Sequence, residues 1–183
     1  DTLQEEILLP LGLTRGLWFS SPLPALYEPR LLNRLRGWVW APDQFGALQY
    51  QKAGLLPSSS IKSITQFEQV NSVEYNRLNL REEDGFDPLL IIITPEIQVA
   101  MSLMGERDTR NLVMRSDSET LKDLLQMLDD RLYQEDQEQA NQIRQSLEDL
   151  GQLKTNDNFA NIFWPLLSAK LANIAPSLNI QAL

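Results

Sequence analysis

The spacing of apolar residues changes character once along the chain, near residue 117. Before that point short apolar segments alternate with Pro and Gly; after it, to residue 175, apolar positions recur at helical intervals with Gly151 as the single internal glycine. Thr2 to Leu9 reads as a short helix stopped by Pro10, and Gly16 to Phe19 as a brief strand. Pro24 to Arg36 predicts a helix with Pro24 in its first turn and Leu26, Leu31, Leu32 and Leu35 as its apolar content. Gly37 to Trp40 predicts a strand ending at Pro42, and Asp43 a cap for a helix through Leu48 that ends near Gly54. Beyond the Pro57–Ser60 loop, the alternation in Ile61 to Phe67 and again in Val73 to Leu80 predicts two strands.

A strand pair follows. Leu89 to Ile93 is rich in β-branched residues and bounded by Pro88 and by Thr94-Pro95. Ile97, Val99, Met101 and Leu103 alternate with Gln98, Ala100, Ser102 and Met104, so a hairpin is expected with its first strand buried on both faces and its second on one. Gly105 to Asp108 makes the next turn, and Asn111 to Arg115 a third strand. Ser116, three residues before Glu119, has capping-box spacing ahead of a helix carrying Leu121, Leu124, Leu125, Leu128 and Leu132. A second helix from Asp136 to about Leu150 places Ala140, Ile143, Leu147 and Leu150 on one face, with Gly151 as its stop. A third, capped by Asn156 or Asp157, carries Phe159, Ile162, Phe163, Leu166, Leu167 and Leu171, a stripe broad enough to pack against the domain or a partner. The expected fold is α+β: an antiparallel sheet of about five strands with flanking helices and a helical C-terminal third. Residues 1–183 form a single domain in this reading, with 1–117 the mixed α/β part and 118–175 the helical part.

Composition narrows the chemistry. The 183 residues are 43% hydrophobic and 22% charged, the balance of one globular domain, and contain neither histidine nor cysteine. Ser-His-Asp and Cys-His triads cannot be built, and zinc, haem and iron–sulfur sites lose their usual ligands. Only oxygen-ligand cations such as magnesium or calcium stay open. Asp84, Asp87 and Glu96 have no spacing that favours a metal or hydrolytic pair, the EF-hand pattern is absent, and no glycine-rich phosphate loop occurs. The chain is therefore expected to be no enzyme, with no catalytic residue, resident metal or cofactor. Its net charge of −9 disfavours a nucleic-acid partner. No apolar run approaches the ~20 residues of a membrane span, and no secretion signal opens the chain, so the expectation is a cytoplasmic protein without a membrane partner.

Trp18, Trp38 and Trp40 fall within a short stretch beside Phe19, Tyr27 and Phe45. Large rings with few polar handles suit a small-ligand cavity, and equally suit ordinary core packing. Trp38 and Trp40, two apart, point to the same face of a strand. Arg30, Arg34 and Arg36 cluster next to these rings, where an anionic ligand could be held or a solvated face formed. The candidate ligand-binding set is Trp18, Tyr27, Trp38, Trp40 and Arg34.

Asp87-Pro88-Leu89, Ile91-Ile92-Ile93-Thr94-Pro95, Val99-Ala100-Met101 and Arg110 to Asp117 ahead of the leucine helix together carry a resemblance. Over about residues 87–132 the chain resembles the N-terminal sensory region of cyanobacterial sensor histidine kinases, related to DICT domains. It differs at Val113-Met114-Arg115-Ser116-Asp117-Ser118, where DICT domains tend to show an aromatic strand ending in a Phe-Asp-Pro turn, which leaves open another GAF- or PAS-like sensory group. The resemblance implies a sensory input domain of a two-component system that binds a small ligand or partner and signals through its C-terminal helices. Its partner would be a kinase transmitter, beyond Leu183 or on another chain, with dimerisation carrying the output. The alternative is a stand-alone adaptor that binds other proteins through the Phe159–Leu171 stripe. A closed cavity near Trp38 and Trp40 would favour the sensor, and a solid core with an exposed apolar patch the adaptor.

Overall fold

The computed structural model describes residues 2–42, 75–105 and 110–174. Six strands form one sheet: β1 (Gly16–Ser21), β2 (Leu35–Ala41), β3 (Tyr75–Asn79), β4 (Leu89–Ile93), β5 (Gln98–Met104) and β6 (Asn111–Arg115), in the order β3-β2-β1-β4-β5-β6. The helices are α1 (Pro29–Leu32), α2 (Ser118–Glu135), α3 (Gln137–Leu150) and α4 (Phe159–Ile174), preceded by a π-helical segment at Leu3–Leu8.

The sheet is mixed rather than antiparallel and has one strand more than expected. β1, β2 and β3 run parallel, while β4, β5 and β6 form an antiparallel meander on the other side of β1. The difference lies between β1 and β2. Instead of a helix from Pro24 to Arg36, the connection contains a single turn, Pro29–Leu32, and Leu35 already belongs to a strand. The chain thus makes its parallel crossover with very little helix.

Both faces of the sheet are covered, which explains why β1, β2 and β4 read as nearly unbroken apolar runs. On one face Trp18, Val39, Ile92, Val99 and Met101 meet Leu3, Leu8, Leu26, Leu31, Phe159 and Phe163. On the other, Leu17, Phe19, Trp38, Trp40, Ile91, Ile93 and Ala100 meet Leu121, Leu125, Leu132, Ala140 and Ile143. β5 buries Gln98 and Ala100 as well as Val99 and Met101, so it too is covered on both sides at its start. Ile91, Ile92 and Ile93 are almost wholly removed from water, and each such side chain contributes about 1.5–3 kcal/mol by burial.

Other expected elements hold with shifted ends. The Thr94-Pro95-Glu96 turn is closed by the Thr94 hydroxyl, which accepts from the Ile97 amide at 2.9 Å. α2 is capped by Asp117 rather than Ser116: its carboxylate accepts from the Thr120 amide at 2.7 Å. Asp136 caps α3, and Gly151, at φ 89°, ends it in the left-handed region that glycine enters without strain. The α4 stripe divides: Phe159, Phe163, Leu166 and Leu167 pack on the core, while Ile162 and Leu171 are exposed. Ion pairs Arg131–Asp84 and Arg81–Glu135 tie the short 3-10 turn Glu82–Asp84 to the end of α2. The expected helix from Asp43, the Ile61–Phe67 strand and most of the Gly105–Asp108 turn lie outside the described residues.

The hydrogen bond from Thr120 is the first cause that holds the Asp117 carboxyl below its ordinary value. A depressed folded-state value contributes stability above the unfolded carboxylate range and loses it as pH falls toward the folded-state value. Asp117→Asn is accordingly expected to flatten the acid limb of helix loss followed by circular dichroism below about pH 4. An unchanged limb would remove this cap from the account.

Candidate functional site

The five sequence-derived site residues do not line one cavity. Trp18 lies on the α4 side of the sheet, and Trp38 and Trp40 together on the α2–α3 side, as their spacing requires. Both groups pack against neighbouring rings, and Trp38 also borders a surface pocket with Arg36, Gly37, Tyr75, Asn76 and Gln142. Trp38 stacks on Phe19 at 5.5 Å between ring centroids, and Trp40 tilts against the same ring at 6.3 Å. Trp18 lies over Gly37 on the neighbouring strand and meets Tyr75 edge-on at 5.8 Å. Tyr27 is half exposed in the β1–α1 connection, where partial desolvation and then the carboxylates of Glu5 and Glu28 raise its phenol above the ordinary value. The position of that connection is set by Gln4, whose buried side-chain carbonyl accepts from the Tyr27 and Glu28 amides at 3.0 and 3.1 Å.

Arg34 behaves differently. It joins Arg15 and Arg36 around a polar pocket of about 320 Å³ at the start of β1 and β2, closed on its far side by Ser146, Asp149 and Leu150 of α3. The parallel register explains the meeting: Gly16 pairs with Leu35 and Leu17 with Arg36, so the residues just before the two strands, Arg15 and Arg34, become neighbours. Among the described residues each guanidinium is oriented by one hydrogen bond. Arg34 donates to the Leu13 carbonyl at 3.0 Å, Arg15 to the Asp149 carbonyl at 3.2 Å, and Arg36 to the Ser146 hydroxyl at 3.1 Å. No carboxylate among the described residues lies within ion-pair distance of the three, whereas Arg30, the other arginine of the cluster, pairs with Glu28.

Three guanidiniums against the one carboxylate of Asp149 leave two positive charges in excess in this pocket, in a chain of net charge −9. Guanidinium offers five N–H donors in a planar fork, so most of the donor capacity here is unused by the described residues. The pocket also bridges two layers. Trp38 donates to Gln139 at 2.8 Å, Arg36 to Ser146 and Arg15 to the end of the helix, so three polar contacts connect β2 and the residue preceding β1 to α3. Sequence reasoning found Arg34 and Arg36 but passed over Arg15. The available signal was that Arg15 and Arg34 each immediately precede a strand.

A second concavity of about 520 Å³ opens at the opposite end of β1, where the chain leaves β1 and enters β4. Among the described residues no three carboxylates gather closely enough to hold a metal ion, and no helix is long and apolar enough to cross a membrane.

A mixed six-stranded sheet between helical layers, with a cationic pocket at one end of β1 and an apolar cleft at the other, defines an α+β domain. The chain belongs to the family described as a domain of unknown function, DUF8628, whose match spans residues 1–176. No curated protein and no solved structure matches it.

Proposed function

We propose that the chain is a regulatory input domain of a cytoplasmic two-component signalling protein, without catalysis of its own, that senses a small oxyanion in the Arg15–Arg34–Arg36 pocket. The observation that carries this reading is the convergence of three guanidiniums, unpaired with any described carboxylate, on a pocket partly built by α3. An oxyanion bridging Arg36 and Arg15 would compete for the donors that now hold Ser146 and the Asp149 carbonyl, and so change how α3 sits on the sheet. Differential contacts of this kind are what a ligand needs to shift a two-state arrangement. A kinase transmitter as the receiver follows from the resemblance over residues 87–132, as does a dimeric output.

Binding is tested by titration calorimetry with inorganic phosphate, pyrophosphate and citrate, with chloride as the control. At least one oxyanion is expected to bind. Arg34→Gln, whose hydrogen bond goes to Leu13 and not to α3, is expected to weaken it at least about tenfold, since hydrogen bonds to charged groups are worth about 1.5–3 kcal/mol. Equal affinity in Arg34→Gln, or no binding by any of the three, would overturn the site.

A second reading has one observation in its favour. Ile162, Trp164 and Leu171 are exposed on α4, the pattern expected of an adaptor that binds proteins through this helix. The arginine pocket has no role in that reading, so loss of oxyanion binding would leave the adaptor as the better account.

A further inference from the structure

The apolar cleft lies where the strand order reverses. From β1 the chain moves outward to β2 and β3, then returns to the other side of β1 as β4, β5 and β6. At such a reversal the two connections leave a crevice between them, here outside the carboxyl end of β1 and the amino end of antiparallel β4, a geometry related to the switch-point crevice of parallel α/β sheets. Here the crevice is bordered by the chain leaving β1 at Ser21 and entering β4 at Leu89, which are register partners.

Its chemistry is asymmetric. Leu90, Met101 and Leu112 form the floor, and Leu23 and Phe86 stand exposed at the mouth. Ser21 and Ser102 also border the cleft, and Arg110 is the single charged residue among the described lining residues. Its guanidinium has no ion-pair partner among the described residues. A volume of about 520 Å³ falls within the roughly 300–1,000 Å³ of small-molecule sites. One cation beside an apolar wall recognises a molecule with an apolar body and one anionic end, and a polar anion such as pyrophosphate would leave the apolar wall unused. From this pairing we infer that the cleft is a second ligand site, distinct from the arginine pocket, for an amphipathic monocarboxylate. The carboxylate sits on Arg110 and the hydrocarbon lies along Leu90, Met101 and Leu112.

The test compares decanoate with decanol, matched in chain and different in charge, by calorimetry and by methyl NMR shifts. Decanoate is expected to bind at least about tenfold more tightly than decanol, to shift the methyl signals of Leu90, Met101 and Leu112, and to leave those of Leu124 and Leu128 in place. Arg110→Gln, at an exposed position, is expected to abolish the preference for decanoate. Leu23→Glu, also exposed, sets a carboxylate at the mouth and is expected to weaken decanoate more than decanol. Saturating pyrophosphate is expected to leave decanoate affinity unchanged, which separates this site from the arginine pocket. Equal binding of the two probes by the wild-type chain, a preference that survives in Arg110→Gln, competition by pyrophosphate, or shifts confined to other methyl groups would each overturn the assignment. If either variant fails to fold, the probe preference and the methyl pattern of the wild-type chain decide the matter alone.

Discussion

Gly37→Val is expected to leave the chain largely unfolded at 37 °C. A side chain at residue 37 would begin 2.3 Å from Cε2 of the Trp18 indole, and the ring has nowhere to go: Trp18 is fully buried and its edge already meets Tyr75. The register aligns Trp18, Gly37 and Tyr75 in one row across three parallel strands, so the glycine supplies the gap that the indole fills. Overpacking typically costs about 1–3 kcal/mol and occasionally more, and an approach this close to a buried ring lies at the costly end, a large part of the ~5–15 kcal/mol that holds a domain together. Urea denaturation followed by circular dichroism provides the measurement. Trp18→Leu placed on Gly37→Val is expected to recover part of the loss by returning the space. A Gly37→Val chain as stable as wild type would show that the indole does not lie over residue 37.

Phe19→Ala is expected to destabilise the fold by about 3–5 kcal/mol, the range for truncating a buried phenylalanine. Phe19 stands between Trp38 and Trp40 on the face that α2 and α3 cover, and its removal leaves a cavity bounded by two rigid rings that cannot collapse inward. The loss should be accompanied by a change in tryptophan emission, because one of the rings bordering the cavity, Trp38, is also tied to Gln139 of α3. Equilibrium unfolding gives the magnitude, and a loss below about 1 kcal/mol would contradict a solid aromatic core here.

The parts of the fold that were readable in the sequence are those set by short-range rules. Leu89 to Ile93 and its hairpin partner follow from β-branching and the Thr94-Pro95-Glu96 turn, and α2 and α3 follow from leucine spacing and the Gly151 stop. What was not readable depends on pairing between distant segments. Leu31, Leu32 and Leu35 sit at intervals that suit a helix, yet Leu35 pairs with Gly16 in a parallel ladder that no local pattern specifies. The unbroken apolar runs in β1 and β2 were the available sign that both faces are covered and that parallel strands are present. The site divides in the same way. The shared face of Trp38 and Trp40 came from period-two geometry, whereas the separation of Trp18 from them required knowing that β1 and β2 lie side by side with Phe19 opposite Trp38. Arg15 is far from Arg34 in sequence, and only the parallel register makes them one pocket.

That pocket matters for function only if an anion in it reaches the helical layer. Hydrogen exchange of the α3 amides, residues 137–150, with and without pyrophosphate measures this coupling directly. In the wild-type chain, bound pyrophosphate is expected to change exchange across α3 severalfold while the amides of β5 and β6 stay as they were, and Arg36→Gln is expected to abolish the change. Pyrophosphate that binds without altering α3, or an equal response in Arg36→Gln, would contradict a sensory site built between the sheet and α3.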